Sequence, residues 1–277
     1  VEIIENWLKS QLNQNFTIEP ASSDASFRRY FRITSNNETY ILMDAPPNLE
    51  RIDHFVDITN KLIAAEINSP KIISFDTELG LILMTDFGSQ TFLDVLDNNN
   101  SHELYPKAIH SLLKIQTKVD TQGLQNYSEG LLISEMALFP EWYLTKLKKI
   151  NLEDQALLSN IFSLISKKIL TQNKCFVHRD YHSRNLMFIA QSNPGILDYQ
   201  DAVLGPLTYD LVSLLKDAYI EWDEDFVLDQ SVRYWEKAKK AGLVKNKDFS
   251  SFYEDFEWMG VQRHLKILGI FLRLSIR

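Results

Sequence analysis

Two short stretches hold residue types whose spacing suits one kind of chemistry. His178, Arg179, Asp180 and Asn185 form the pattern His-Arg-Asp, four residues, Asn; Asp198 follows in 198-DYQD-201. Phosphoryl transfer leaves little covalent work to protein groups, so its catalysis is positioning plus charge neutralisation. One carboxylate must take the proton of an acceptor hydroxyl and aim that oxygen, a role that fits Asp180. An unperturbed aspartate, with a pKa of about 3.9, is a weak base, so orientation outweighs early deprotonation. Magnesium takes hard oxygen ligands and keeps several waters, so the amide of Asn185, the carboxylate of Asp198 and ATP oxygens suffice to hold it. The pattern predicts ATP- and Mg2+-dependent transfer to a hydroxyl of a small molecule, with His178 as a structural residue bonding the loop backbone.

Chain order removes a decoy. The segment 86-DFG-88 looks like a kinase metal motif, but it precedes the 178–185 loop, whereas the metal aspartate must follow it. Thr85, Asp86 and Phe87 are read instead as a hinge whose backbone groups meet an adenine. Asp201 reads either as a substrate-side carboxylate or as a solvated loop charge. Asp210, ahead of an apolar helix, is either a helix cap or a buried acceptor that ties down the loop.

The elements that must position these groups follow from periodicity. Alternation predicts strands over 27–34 and 39–44 with 35-SNNE-38 as the turn, a helix over 52–67, and strands at 71–76 and 80–85. Beyond Gly88 helical patterns dominate, over 103–119, 131–149, 153–172, most of 206–241, and 248–274. Short strand candidates at 186–190 and 195–198 interrupt them. The fold class is α+β, with a small β-rich N-terminal lobe (1–86) that binds nucleotide and a large helical lobe (87–277) for catalysis and substrate.

The bulk numbers exclude other classes. Across 277 residues, 45% are hydrophobic and 24% charged, ordinary values for a globular chain. A formal net charge of -8 argues against nucleic acid or an anionic membrane as the main partner, while a local basic pocket on an acidic protein still admits ATP. The lone cysteine, Cys175, lies in an apolar run and reads as core packing, and a chain without an internal disulfide suits a reducing, cytoplasmic compartment. The start, 1-VEIIENWLKSQL-12, is an acidic amphipathic helix pattern and no secretory signal, and 265–274 is too broken by Lys266 and Arg273 to span a membrane. A monomer or weak dimer is expected.

These residues resemble the aminoglycoside phosphotransferase/choline kinase family. Within it they are similar to the bacterial anomeric amino-sugar kinases that phosphorylate N-acetylmuramate and N-acetylglucosamine in peptidoglycan recycling. The matching stretches are 22–33, 43–47, 138–143, 178–187, 195–210 and 259–271. The resemblance implies a two-lobed protein-kinase-like fold, ATP and magnesium. It makes Asp180 the catalytic base, and Asn185 and Asp198 the metal ligands. Two departures stand out. The phosphate loop, 22-SSDAS-26, has no glycine, so Ser23 and Ser26 must serve the phosphates with backbone N–H groups and hydroxyls. The strand that usually carries an ATP-binding lysine reads 40-YILMDA-45; Arg28, Arg29 or Arg32 either supplies the missing charge or decorates an exposed strand face. The resemblance implies that the sugar kinases share both departures.

For the acceptor, a carboxylate-bearing sugar needs a cation, from Arg184 or from Arg263 with His264. Trp142, Tyr143 and Trp222 are either sugar platforms or core, and Glu141 is a partner for sugar hydroxyls. An aminoglycoside or choline-like amino-alcohol kinase is the alternative, and a nucleotide-binding scaffold without activity is the alternative of another class.

Overall fold

A two-residue turn sets the register of the first sheet. In the computed structural model Asn36 and Asn37 have φ of 50° and 64°, the left-handed pair that matches strand twist, and Ser35 pairs with Glu38 across them. The structure describes residues 2–12, 15–23, 27–150, 154–190, 192, 194–245 and 247–276, without the side chains of Ser22 and Ser23. It divides into two units, Val1–Gln90 with Met187–Gln200, and Thr91–Leu186 with Asp201–Arg277. The segment carrying Asp198 clusters with the first unit.

In the first unit, β1 (Thr17–Ser23), β2 (Arg29–Ser35), β3 (Glu38–Asp44), β4 (Ile72–Asp76) and β5 (Leu81–Thr85) form an antiparallel sheet in the order β1-β2-β3-β5-β4. The inward positions Ile33, Leu42, Leu81 and Leu83 pack with Trp7 and Leu8 of α1 (Glu2–Leu12). Each such burial stabilises by roughly 1.5–3 kcal/mol. α2 (Asp53–Ala64) buries Phe55, Ile58, Thr59 and Leu62, the stripe its periodicity predicts. Gly80 has φ of 70°, and a Cβ there would lie 1.9 Å from the Ala45 carbonyl oxygen, so only glycine closes the β4–β5 turn against β3. β1 escapes the sequence reading: Pro20 and two serines break its alternation, and a bulge between Pro20 and Ser22 shifts its register.

In the second unit, α3 (Phe92–Val95) and α4 (Ser101–Lys118) precede α5 (Glu129–Met136). The helix expected over 131–149 is split. After α5 the chain re-forms as a π-helix, Phe139–Lys148, with Pro140 in its first turn. Proline supplies no N–H and crowds the carbonyl four residues earlier, which ends the first helix there. α6 (Gln155–Ile169) leads to β6 (Lys174–Val177). β7 (Leu186–Met187) and β8 (Gly195–Ile196) make a two-stranded sheet, of which Met187 and all of β8 cluster with the first unit, and β9 (Val203–Pro206) pairs with β6. α7 (Tyr209–Leu215), α8 (Glu224–Lys240) and the long α9 (Phe249–Ile276) complete the unit. The pattern over 206–241 is thus strand end, short helix, break and helix. α9 packs on the π-helix through Gly269, where a Cβ would come within 2.4 Å of the Leu138 carbonyl carbon.

Candidate active site

β6 delivers the 178–185 loop. Cys175, Phe176 and Val177 are buried against β9, and the chain leaves the pair at His178. Burial pushes the Cys175 thiol up, consistent with packing. Two backbone N–H groups of the loop then need acceptors. Asp210, in the first turn of α7, supplies both: Oδ2 accepts from His178 N at 2.7 Å and Oδ1 from Arg179 N at 3.0 Å. Complete burial raises the Asp210 pKa to about 6, although His178 and the two N–H donors favour its charged form. Of the two sequence readings, the buried acceptor is the one the structure shows. His178 is buried, and its Nδ1 accepts from Asp180 N at 3.3 Å, so the ring bonds loop backbone.

Arg179 has φ of 77°, a left-handed conformation costly for a side chain with a Cβ. Its guanidinium is anchored inward, donating to Glu135 Oε1 of α5 at 2.6 Å. Glu135 also meets Lys266 Nζ at 3.1 Å, Gln262 Nε2 at 3.0 Å and the Tyr127 hydroxyl. Burial acts to raise Glu135, but Lys266, Tyr127 and Arg179 outweigh it and hold the carboxyl low. Sequence reading missed this cluster, because Glu135 lies in an unremarkable helix and meets α9 only through the fold.

Asp180 keeps 42% of its side chain exposed, with Arg263 Nη1 4.0 Å from Oδ1. Burial opposes its charge, but Lys266, Arg263, His182 and His178 together hold its pKa below the usual carboxylate value. It stands ionised at neutral pH, as a group that orients a hydroxyl. The Asn185 side-chain N–H donates to the Asp180 carbonyl at 3.0 Å, which fixes the way the amide is turned. Asp217, also missed, accepts from Ser183 N at 2.9 Å and Ser183 Oγ at 2.6 Å and pins the loop's midpoint. Inside the loop, Arg184 is exposed and lies over the Tyr219 ring at 4.9 Å.

The other candidates of this unit part company. Arg263 is only 3% exposed and donates to the Arg179 carbonyl at 2.9 Å. Expected as a candidate cation for a substrate carboxylate, Arg263 is buried under the loop and supports its backbone. His264 is exposed, 3.3 Å from the Lys216 carbonyl. Trp222 Nε1 donates to the Tyr105 hydroxyl at 2.6 Å and its ring packs on Tyr105 and Phe226, so it is held in an aromatic cluster. Glu141 is exposed at the start of the π-helix, Trp142 is half-buried, and Tyr143 stacks on Phe139. Asp201 is exposed.

In the first unit, Arg32 grips the expected hinge. Its Nε donates to Asp86 Oδ2 at 2.6 Å and its Nη2 to the Gly88 carbonyl at 2.9 Å, while Asp86 Oδ1 accepts from Gly88 N at 2.8 Å. Burial acts to raise Asp86, but Arg32 and the Gly88 N–H hold it low. A carboxylate and a carbonyl of the expected hinge thus engage Arg32. Arg29 pairs with Asp44 across β2 and β3, and Arg28 forms an ion pair with Glu50. Thr85 Oγ1 accepts from Lys71 N at 2.9 Å, and Phe87 lies against Gly195, where a Cβ would meet its ring at 2.5 Å. Ser26 and the side chain of Ser23 lie outside the described residues.

Asp198 also has left-handed backbone, φ 62°. Gln200 Nε2 donates to its Oδ1 at 2.7 Å. Between them Tyr199 is pinned, 1% exposed, with its hydroxyl 2.9 Å from Thr59 Oγ1 and its ring stacked 5.2 Å from Phe55 of α2. The Asp198 carboxylate is a hard oxygen donor, of the kind magnesium takes in preference to the thiolates and imidazoles that suit zinc.

A strand-delivered His-Arg-Asp loop held by a buried aspartate, with a second aspartate on a following hairpin, defines the class: a kinase-like small-molecule phosphotransferase. The chain belongs to the phosphotransferase enzyme family, whose profile matches residues 17–243. It is 43% identical over 285 residues to the N-acetylmuramate/N-acetylglucosamine kinase of Pseudomonas aeruginosa, with 98% of this chain and 84% of that protein covered. Against the protein of the same name from Neisseria meningitidis it is 41% identical, covering 99% and 84%. Among solved structures, the ADP-bound aminoglycoside phosphotransferase APH(2'')-Ib superposes with a TM-score of 0.62 at 16% identity, covering 96% of this chain and 99% of that one. The choline kinase of Streptococcus pneumoniae gives 0.58 at 13%, covering 94% and 98%. Together these show the kinase-like fold expected from the sequence.

Proposed function

We propose that this chain transfers the γ-phosphate of ATP to the anomeric hydroxyl of N-acetylmuramate and N-acetylglucosamine, in the cytosol and with magnesium. The observation that carries the reading is Asp180, partly exposed and held ionised in a loop whose backbone Asp210 fixes. Asp180 would accept the hydroxyl proton and aim the oxygen; an anomeric hydroxyl is more acidic than an ordinary alcohol, so a weak base serves. Asn185 and Asp198 would hold the magnesium ion. When bound, that cation would neutralise phosphate charge. The backbone of Thr85, Asp86 and Phe87 would meet the adenine, and Ser23 and Ser26 the phosphates. Arg28 and Arg32 are proposed to bring positive charge toward the phosphates from the strand beside them, while ion-paired with Glu50 and Asp86.

The acceptor assignment is supported by the relatives at 40–43% identity that carry those sugar names. Arg184, exposed and aligned over Tyr219, is the proposed partner of the muramyl carboxylate, and Glu141, Trp142 and Asp201 are proposed to contact the sugar. The test is an ATP-consumption assay with N-acetylmuramate, N-acetylglucosamine, kanamycin and choline. Turnover of both amino sugars is expected; turnover of kanamycin or choline without either sugar refutes the reading.

A further inference from the structure

Beside Asp198 lies a side chain that contacts neither phosphate nor sugar in the proposed reaction. Gln200 is 8% exposed, its Nε2 donates to Asp198 Oδ1 at 2.7 Å, and its Oε1 is a buried acceptor without a hydrogen-bond partner among the described residues. The amide cannot be turned round to cure this, since Oε1 would then face a carboxylate oxygen, acceptor against acceptor. Oε1 shares a carbon with the donating nitrogen, so the orphaned acceptor sits next to the Asp198 carboxylate. Buried acceptors are rarely left unmatched, and one that persists beside a functional carboxylate asks for a donor the site acquires when loaded.

The backbone around the pair is built to keep it in place. Asp198 sits at φ 62°, a conformation that survives only when its surroundings enforce it. Tyr199 enforces it from the next position, stacked on Phe55 and bonded to Thr59. Asp198 and Gln200 flank this pinned residue. A neutral amide suits the position. It donates to one carboxylate oxygen without adding a like charge, and it offers an acceptor as well.

We propose that Gln200 is a positioning residue for Asp198, holding its Oδ1 so that the carboxylate presents its other oxygen to the cation, and that Gln200 Oε1 accepts a hydrogen bond from the cation's water shell. Magnesium keeps several waters, and their hydrogens are the donors that Oε1 lacks. The inference rests on the reading of Asp198 as a metal ligand. Outer partners of metal ligands affect affinity by about 10- to 100-fold when removed.

The experiment is Mn2+ binding to the full chain saturated with ADP, followed by electron paramagnetic resonance, for wild type, Gln200→Met and Asp198→Asn. Gln200→Met keeps the volume and removes both hydrogen-bonding ends. It is expected to weaken Mn2+ binding about 10- to 100-fold. ADP affinity in EDTA should stay within about twofold, and the melting temperature should be unchanged or higher, because an unmatched buried acceptor has gone. Mn2+ affinity within about twofold of wild type would overturn the role. A parallel loss of metal-free ADP binding and of melting temperature would overturn it in favour of plain packing. If Gln200→Met does not fold, Gln200→Ala is read in the same way. If Asp198→Asn also leaves Mn2+ affinity intact, the metal reading of Asp198 fails, and this inference with it; an effect of Asp198→Asn alone refutes only Gln200.

Discussion

At the residue scale, Asp210 and Arg184 make opposite kinds of contribution. Asp210 is buried and serves the loop backbone with both oxygens. Asp210→Asn would set an amide N–H against one of two backbone donors, so it should cost about 1–3 kcal/mol and lower kcat, read by thermal unfolding and steady-state kinetics. It also has a pH signature. The folded pKa is about 6, above the unfolded value of an aspartate, so between about 4 and 6 the folded state binds more protons than the unfolded one. This group's contribution therefore makes stability fall as pH rises through that window, and that part of the slope should vanish in Asp210→Asn. Arg184, by contrast, is exposed, lies over the Tyr219 ring, and its charge favours the ionised form of Asp94. Arg184→Ala should raise KM for N-acetylmuramate about 10- to 100-fold, the loss of a charged hydrogen bond, and change KM for N-acetylglucosamine little.

At the scale of elements, the break between α5 and the π-helix decides where Glu141 and Trp142 project. The π-helix is held by α9 at one close approach, Gly269 over Leu138, where a Cβ would sit 2.4 to 2.6 Å from the Leu138 backbone and Cβ. Gly269→Ala must push the helices apart, at a cost of roughly 1–3 kcal/mol typical of overpacking. Because the displaced element carries the proposed sugar contacts, sugar KM should rise while KM for ATP stays put. Equal changes in both would remove the π-helix from the acceptor side. The same α9 brings Gln262, Arg263 and Lys266 beneath the loop, so one helix serves both packing and the charge on Asp180.

At the scale of the whole molecule, the first unit is not contiguous in sequence. Met187–Gln200 belongs to it through Phe188 N to the Gln90 carbonyl, Ile196 N to the Asn68 carbonyl, and Tyr199 on α2. A fragment of residues 1–90 lacks this segment and exposes Phe55 and Thr59 on α2. It should be markedly less stable than the same unit within the full chain, with no cooperative thermal transition by circular dichroism; a sharp transition would show that the first ninety residues fold unaided. Among the described residues, no helix is long and apolar enough to cross a bilayer.

The sequence by itself determined the reaction class, because His-Arg-Asp, the following Asn and the later Asp are bound together by loop length and chain order, both of which are written along the chain. It also determined the strands β2 to β5 and most helix positions, since those rest on periodicity within a dozen residues. Tertiary structure alone decided which cations are spoken for. Arg32 and Arg263 read in sequence as available charges, yet Asp86 and the Arg179 carbonyl claim them from 54 and 84 residues away. It alone revealed Glu135, Asp217 and the unmatched Gln200 oxygen, and it split the 131–149 helix. The reason is physical: whether a charged or polar group is free to act depends on what is buried against it, and burial is set by contacts between segments that no local pattern encodes.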